Sequence, residues 1–201
     1  LILCALVFMY FQRRYNKKLL ALTISDPLSG LYNRRYIFNF LNELVNAINL
    51  EKNKVSIMLI EIDDLQQVND LYGYAFGDQI ISEVAKIFKD TFRVEDVIGH
   101  VGGEAFLCVL PRIDSIQCLH IAQRIVKKVH DYTFFVGDVD DNKQQVKVTV
   151  SIGISTTLVD TINSTDLYAQ AEKALYHAKA NGKSRAVQYQ NTMQHSYLKQ
   201  N

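Results

Sequence analysis

Two acidic elements have the residue types and spacing to do chemistry together. The first, Glu61-Ile62-Asp63-Asp64, closes the apolar run Val55 to Ile60, which reads as a short strand buried on both faces. Residues two apart on a strand share a face, so Glu61 and Asp63 are predicted to project together from its C-terminal end, where ligand sites of α/β sheets lie. Two carboxylates placed this way repel unless a cation or a proton lies between them. No histidine or cysteine adjoins them, which favours a hard, oxygen-seeking ion such as magnesium; a solvated strand end is the plain alternative. The second element, Gly102-Gly103-Glu104, adds an acid on a turn whose glycines allow phosphates to approach the backbone. Side by side, Glu61 and Glu104 would make a carboxylate pair able to bind a metal ion and a triphosphate. Apart, Gly-Gly-Glu is only a tight turn.

Three further groups could complete such a site. Asn69 and Asp78 follow the acidic strand, and an amide with a carboxylate can read the donor edge and carbonyl of a guanine, although Asp78 would serve equally as a helix cap. Lys179 and Lys183 flank Gly182 after the last helical pattern and can meet phosphates, but lysines there also complement a helix dipole. Two lookalikes fail: Gly182-Lys183-Ser184 follows a helix and has His177 where a P-loop needs its first glycine, and Asp138 to Asn142 lacks the glycine and glutamate of an EF-hand.

The elements that must position these residues follow from periodicity. Helical spacing is predicted from Asp26 through Ile48, with Ser25-Asp26-Pro27 as its N-terminus, and again over residues 79–89, 115–130 and 165–180. Between them lie a turn-rich stretch up to Asp78, a hairpin of Val97 to Val101 and Phe106 to Leu110 around the glycine pair, a β-rich run from Val146 to Thr156, and a last short strand at Val187 to Tyr189. This order predicts an α+β fold, one sheet with helices outside it.

Composition narrows the function classes. The 201 residues are 48% apolar, enough for one sizeable core and too ordered in pattern for disorder. Lys and Arg number 22 against 21 Asp and Glu, a net charge of +1, so no global field draws nucleic acid to the chain and any anion must be held locally. Cys4, Cys108 and Cys118 do not form a disulfide framework or a zinc pattern. At the start, Leu1 to Phe11 is wholly apolar and is followed by Arg13, Arg14, Lys17 and Lys18. Eleven residues cannot span a bilayer, which needs about 20, so the run reads as the cytoplasmic end of a transmembrane helix that begins outside the sequence, with a buried or signal-peptide segment as the alternative. Residues 1–24 are then membrane helix and connector, 25–189 the domain, and 190–201 a flexible tail.

Taken together, these segments resemble the GGDEF family of diguanylate cyclases from about Ser25 to Val187. Asp26-Pro27-Leu28-Ser29-Gly30-Leu31-Tyr32-Asn33-Arg34-Arg35 looks like the family's entry motif, the stretch from Glu61 to Asp78 is similar to its acidic and guanine-reading segment, and Val148 to Ile154 with Ala171 to Arg185 matches its closing strand and helix. The resemblance implies a nucleotide-cyclase-like fold with a central, mixed, mostly antiparallel sheet of about five strands. It implies condensation of two GTP into cyclic di-GMP by an antiparallel homodimer, with magnesium or manganese held by Glu61, the Ile62 carbonyl and Glu104. Glu104 and Glu61 would be catalytic, Asn69 and Asp78 would read guanine, and Gly102, Gly103, Lys179 and Lys183 would meet phosphates. Arg93-Val94-Glu95-Asp96, nine residues before Gly102, is similar to the family's inhibitory site for cyclic di-GMP; an exposed ion pair is the alternative. The expected location is the inner membrane, with the domain in the cytoplasm.

The chain departs from the family pattern within the site. Ala105 replaces the signature's second acid, Glu61 its first aspartate, Leu65-Gln66 the usual Phe-Lys, Tyr74 a histidine and His100 an arginine. Three readings stay open: an active cyclase, a degenerate domain that binds cyclic di-GMP or GTP, and a dimerisation module without ligand.

Overall fold

The computed structural model describes residues 24–51, 54–136, 144–157 and 163–193. The readings of the apolar start, of the Asp138 turn and of most of the tail lie outside them. The apolar run does form the central strand, β2 (Val55–Ile62), buried at every position except Glu61. It pairs antiparallel with β4 (Ala105–Pro111) on one side and β7 (Val150–Thr156) on the other, which explains why it has no polar face. With β1 (Tyr32–Asn33), β3 (Val97–Gly102) and β8 (Ala186–Gln188), the sheet runs β1-β3-β4-β2-β7-β8. Only the short edge strands β1 and β8 pair in parallel. Among the described residues the sheet therefore has six strands where about five were expected; two-residue β1 is too short to leave a periodic signal.

Alternation along β2 divides the core. Met58, Ile60 and Ile62 pack with α2 (Leu65–Tyr72), α3 (Tyr74–Lys89) and α4 (Ser115–Asp131), whereas Ile57 and Leu59 pack with α1 (Arg34–Glu51) and α5 (Ser164–Ala180). A capping box of Asp114 and Gln117 starts α4, and Asn163 caps α5 by accepting from the Asp166 N–H at 2.8 Å. Ala171, Ala174 and Ala178 give α5 a small-residue face that lies close on β7. At Gly153 a Cβ would run into the Ala171 carbonyl and the Leu175 backbone.

Three local expectations are corrected. Ser25-Asp26-Pro27 starts a closed turn, not a helix: the Asp26 carboxylate accepts from the Ser29 N–H and hydroxyl, the Gly30 N–H bonds the Asp26 carbonyl at 2.8 Å, and Gly30 takes φ +62°. The helix begins eight residues later, at Arg34. The stretch read as turn-rich holds α2 and the first turn of α3, separated at Gly73 (φ 85°, ψ 158°); the helix expected over 79–89 thus starts at Tyr74, and Asp78 lies inside it and caps nothing. The run Val146 to Thr156 is split, because β6 (Gln144–Val146) pairs with β5 (Phe134–Val136) in a separate hairpin. Among the described residues no helix is long and apolar enough to cross a membrane.

Candidate active site

The two acidic elements are neighbours. Glu61 lies opposite Ala105 in the β2–β4 register, so the turn of Gly102, Gly103 and Glu104 sits beside the end of the acidic strand. Both acids converge on one ammonium: Lys179, in the last turn of α5, donates to Glu61 Oε2 and stands 3.6 Å from Glu104 Oε1. Burial pulls the Lys179 pKa down, but the Glu61 hydrogen bond and the charges of Glu61, Glu104 and Asp63 hold it net above the ordinary lysine value.

Asp63 faces the same side yet plays another part. Its Oδ1 accepts from the Ser151 hydroxyl at 2.7 Å, and its Oδ2 from the Thr149 hydroxyl at 2.6 Å and the Ser184 N–H at 3.1 Å. The buried carboxylate is thus saturated by neutral donors and ties the strand end to β7 and to the segment after α5. The expected mutual repulsion of Glu61 and Asp63 is relieved by these donors and by Lys179. Lys183 pairs with Asp64 at 2.5 Å, so both lysines expected at phosphates reach the acidic loop.

Gly102 (φ 119°) and Gly103 (φ 57°) are exposed, and a Cβ on either would meet no atom of the described residues within 4 Å, which leaves open room over the turn. The turn is held from below by buried His100, whose Nδ1 lies 3.0 Å from Asp26 Oδ1 and whose Nε2 lies 3.0 Å from the Gly103 carbonyl. Burial raises the Asp26 pKa, but the Ser29 N–H and hydroxyl and His100 outweigh it, so the carboxyl is held below its ordinary value of 3.8. Its contribution to stability is accordingly present above 3.8 and lost as pH falls through the lowered value. Periodicity gave no sign of this link between the entry turn and the signature turn; the only signal was an aspartate and a serine three residues apart beside a glycine.

On the opposite face of the sheet, Asn69 of α2 packs against α3 where Gly77 leaves room for it, and its buried Oδ1 has no hydrogen-bond partner among the described residues. Asp78 is exposed one residue further on. Arg93 and Asp96 form a tight turn, in which the Arg93 N–H donates to Asp96 Oδ2 at 2.9 Å and the Asp96 N–H to the Arg93 carbonyl at 3.2 Å. This turn borders a cavity of about 400 Å³ lined also by Tyr32, Lys89 and Phe92. Burial pushes the Asp96 pKa up despite Arg93.

The chain is similar to known proteins in sequence and in fold. Residues 23–185 match the model of the diguanylate cyclase GGDEF domain. The probable diguanylate cyclase DgcT of Escherichia coli is 36% identical over 162 residues, covering 81% of this chain and 35% of that protein. Diguanylate cyclase A of Treponema denticola is 34% identical over 181 residues, covering 89% and 47%. Among solved structures, the active GGEEF domain of a diguanylate cyclase from Vibrio cholerae superposes with a TM-score of 0.73 at 26% identity, covering 79% of this chain and 97% of that one. The chain spans less than half the length of these curated relatives.

Proposed function

The chain belongs to the GGDEF family of diguanylate cyclase domains, and on that premise we propose that it is one half of a site in which two protomers condense two GTP to cyclic di-GMP. The observation that carries this reading is the convergence of Glu61 and Glu104 on a single cationic group beside an open glycine turn. A pair of carboxylates that already coordinates an ammonium suits a hard divalent cation, magnesium or manganese, which commonly takes one or two carboxylates and completes its shell with substrate phosphates. Among the described residues no third acid, histidine or cysteine joins them, so phosphates and the Ile62 carbonyl would supply the remaining oxygens. Bound there, the cation would neutralise charge building on the α-phosphate.

The chain's own residues position the reactants. Glycines 102 and 103 admit phosphates to the backbone, Lys179 and Lys183 pair with them, and Asn69 with Asp78 selects guanine. Each 3′-hydroxyl attacks the α-phosphorus held by the facing protomer, forming O3′–P, breaking the bond to pyrophosphate and giving up its proton to water; two such steps close the ring and release two pyrophosphates. An antiparallel homodimer brings the half-sites together, so much of the acceleration is orientation. The Arg13-to-Lys18 flank after the apolar start supports tethering to the inner membrane with this domain in the cytoplasm.

A second reading is favoured by one observation: the Arg93–Asp96 turn edges a cavity large enough for a nucleobase, while Ala105 removes an acid from the reaction side. In that reading the domain binds cyclic di-GMP and signals by occupancy. Incubation of the purified chain with GTP and magnesium separates the two. Cyclic di-GMP and pyrophosphate above a no-protein control support the cyclase; no product, with calorimetric heat on adding cyclic di-GMP that vanishes in Arg93→Ala, supports the sensor.

A further inference from the structure

We propose that Lys179 is an internal counter-ion standing in for the divalent cation, so that this chain takes up metal only together with nucleotide. The inference rests on the site proposed above and adds an order to its filling. The Lys179 ammonium occupies the point where the Glu61 and Glu104 carboxylates come together, donating to the first and lying 3.6 Å from the second. A divalent ion cannot share that point with an ammonium, because like charges at such a separation repel strongly where water is partly excluded. Metal entry therefore requires Lys179 to leave, and departure without a new anionic partner strands a half-buried charge. Nucleotide phosphates provide that partner.

The segment behind Lys179 is built for such a move. Gly182, Lys183 and Ser184 follow one another at φ 104°, 57° and 48°, and the latter two carry side chains that disfavour this region. What holds them there is the acidic strand end: the Ser184 N–H donates to Asp63 and Lys183 pairs with Asp64. Lys183, from this strained segment, and Lys179, from the end of the helix just before it, are thus both drawn onto the acidic loop. A ligand offering several phosphate oxygens would compete for both. Linkage then demands that nucleotide raise metal affinity and metal raise nucleotide affinity by the same factor.

The test is manganese titration of the full chain followed by electron paramagnetic resonance, with and without a non-hydrolysable GTP analogue. Without nucleotide, Lys179→Met and Lys179→Gln should bind manganese at least fivefold more tightly than the wild type, and Lys179→Arg should not. The analogue should raise manganese affinity less in Lys179→Met than in the wild type. A gain of affinity is not something a damaged fold produces. Equal affinity of wild type and Lys179→Met without nucleotide, while the analogue still promotes manganese binding, would overturn the counter-ion and leave the site standing. No manganese bound by the wild type under either condition would overturn the site itself.

Discussion

Substituting Ala105→Glu is expected to raise cyclic di-GMP formation by about 100-fold, the lower end of what a placed acid–base group contributes. Ala105 lies directly opposite Glu61 across the β2–β4 pair, and cross-strand partners point to the same face with Cβ atoms about 5 Å apart. A glutamate there adds a carboxylate to the one region of the site where this chain has only a methyl group. It also places like charges opposite each other, a cost of roughly 0.2–1 kcal/mol that a bound cation removes. Two readouts follow from the one variant: turnover rises, and its thermal midpoint is below wild type without divalent metal but recovers when manganese and nucleotide are added. An unchanged turnover with intact nucleotide binding would show that Glu61 and Glu104 are not arranged for catalysis.

Gly153→Val should destabilise the domain by about 3 kcal/mol or more, the heavy end of overpacking effects. The atoms a Cβ would meet at Gly153 are the Ala171 carbonyl and the Leu175 amide and Cα, all backbone of α5. Backbone within a capped helix has no alternative rotamer, so relief requires the helix to lift from β7. Because α5 carries Lys179, lifting also withdraws the ammonium from Glu61. Gly99→Ala offers the contrast: its added methyl would meet Ile37 Cγ2 at 2.7 Å, Ile37 Cβ at 2.8 Å and the Tyr32 carbonyl at 3.0 Å, a milder approach than the 2.0 Å to the Ala171 carbonyl at Gly153. Denaturant unfolding should therefore rank Gly153→Val well below Gly99→Ala; the reverse order would mean that α5 is not seated as tightly as described.

Much of the architecture is legible in the residues because burial leaves a pattern. β2 could be found because a strand covered on both faces is almost continuously apolar, and α4 because Cys118, Ala122, Ile125 and Val129 recur at helical spacing. What escaped detection was set by interactions across the chain. α2 and the first turn of α3 read as loop because Gly73 and Gly77 suggest turns, yet Gly77 is a glycine to make room for Asn69. The turn after Asp26 read as a helix start because Ser-Asp-Pro is common there, and only the contact with His100 shows that the aspartate serves the signature turn. The site divides in the same way. The acids at 61 and 104 could be named from their settings, but that Asp63 is saturated by Ser151, Thr149 and Ser184 depended on partners more than 80 residues away.

The most direct test of the shared cation is the affinity for manganese in the presence of the GTP analogue, measured for the wild type and for Glu61→Gln and Glu104→Gln separately. Each amide keeps the shape of its side chain and removes one charge. If the two carboxylates grip one ion over a bound nucleotide, both variants weaken manganese binding by at least tenfold and the double variant abolishes it. Weakening by only one of them, or by neither, would contradict the account.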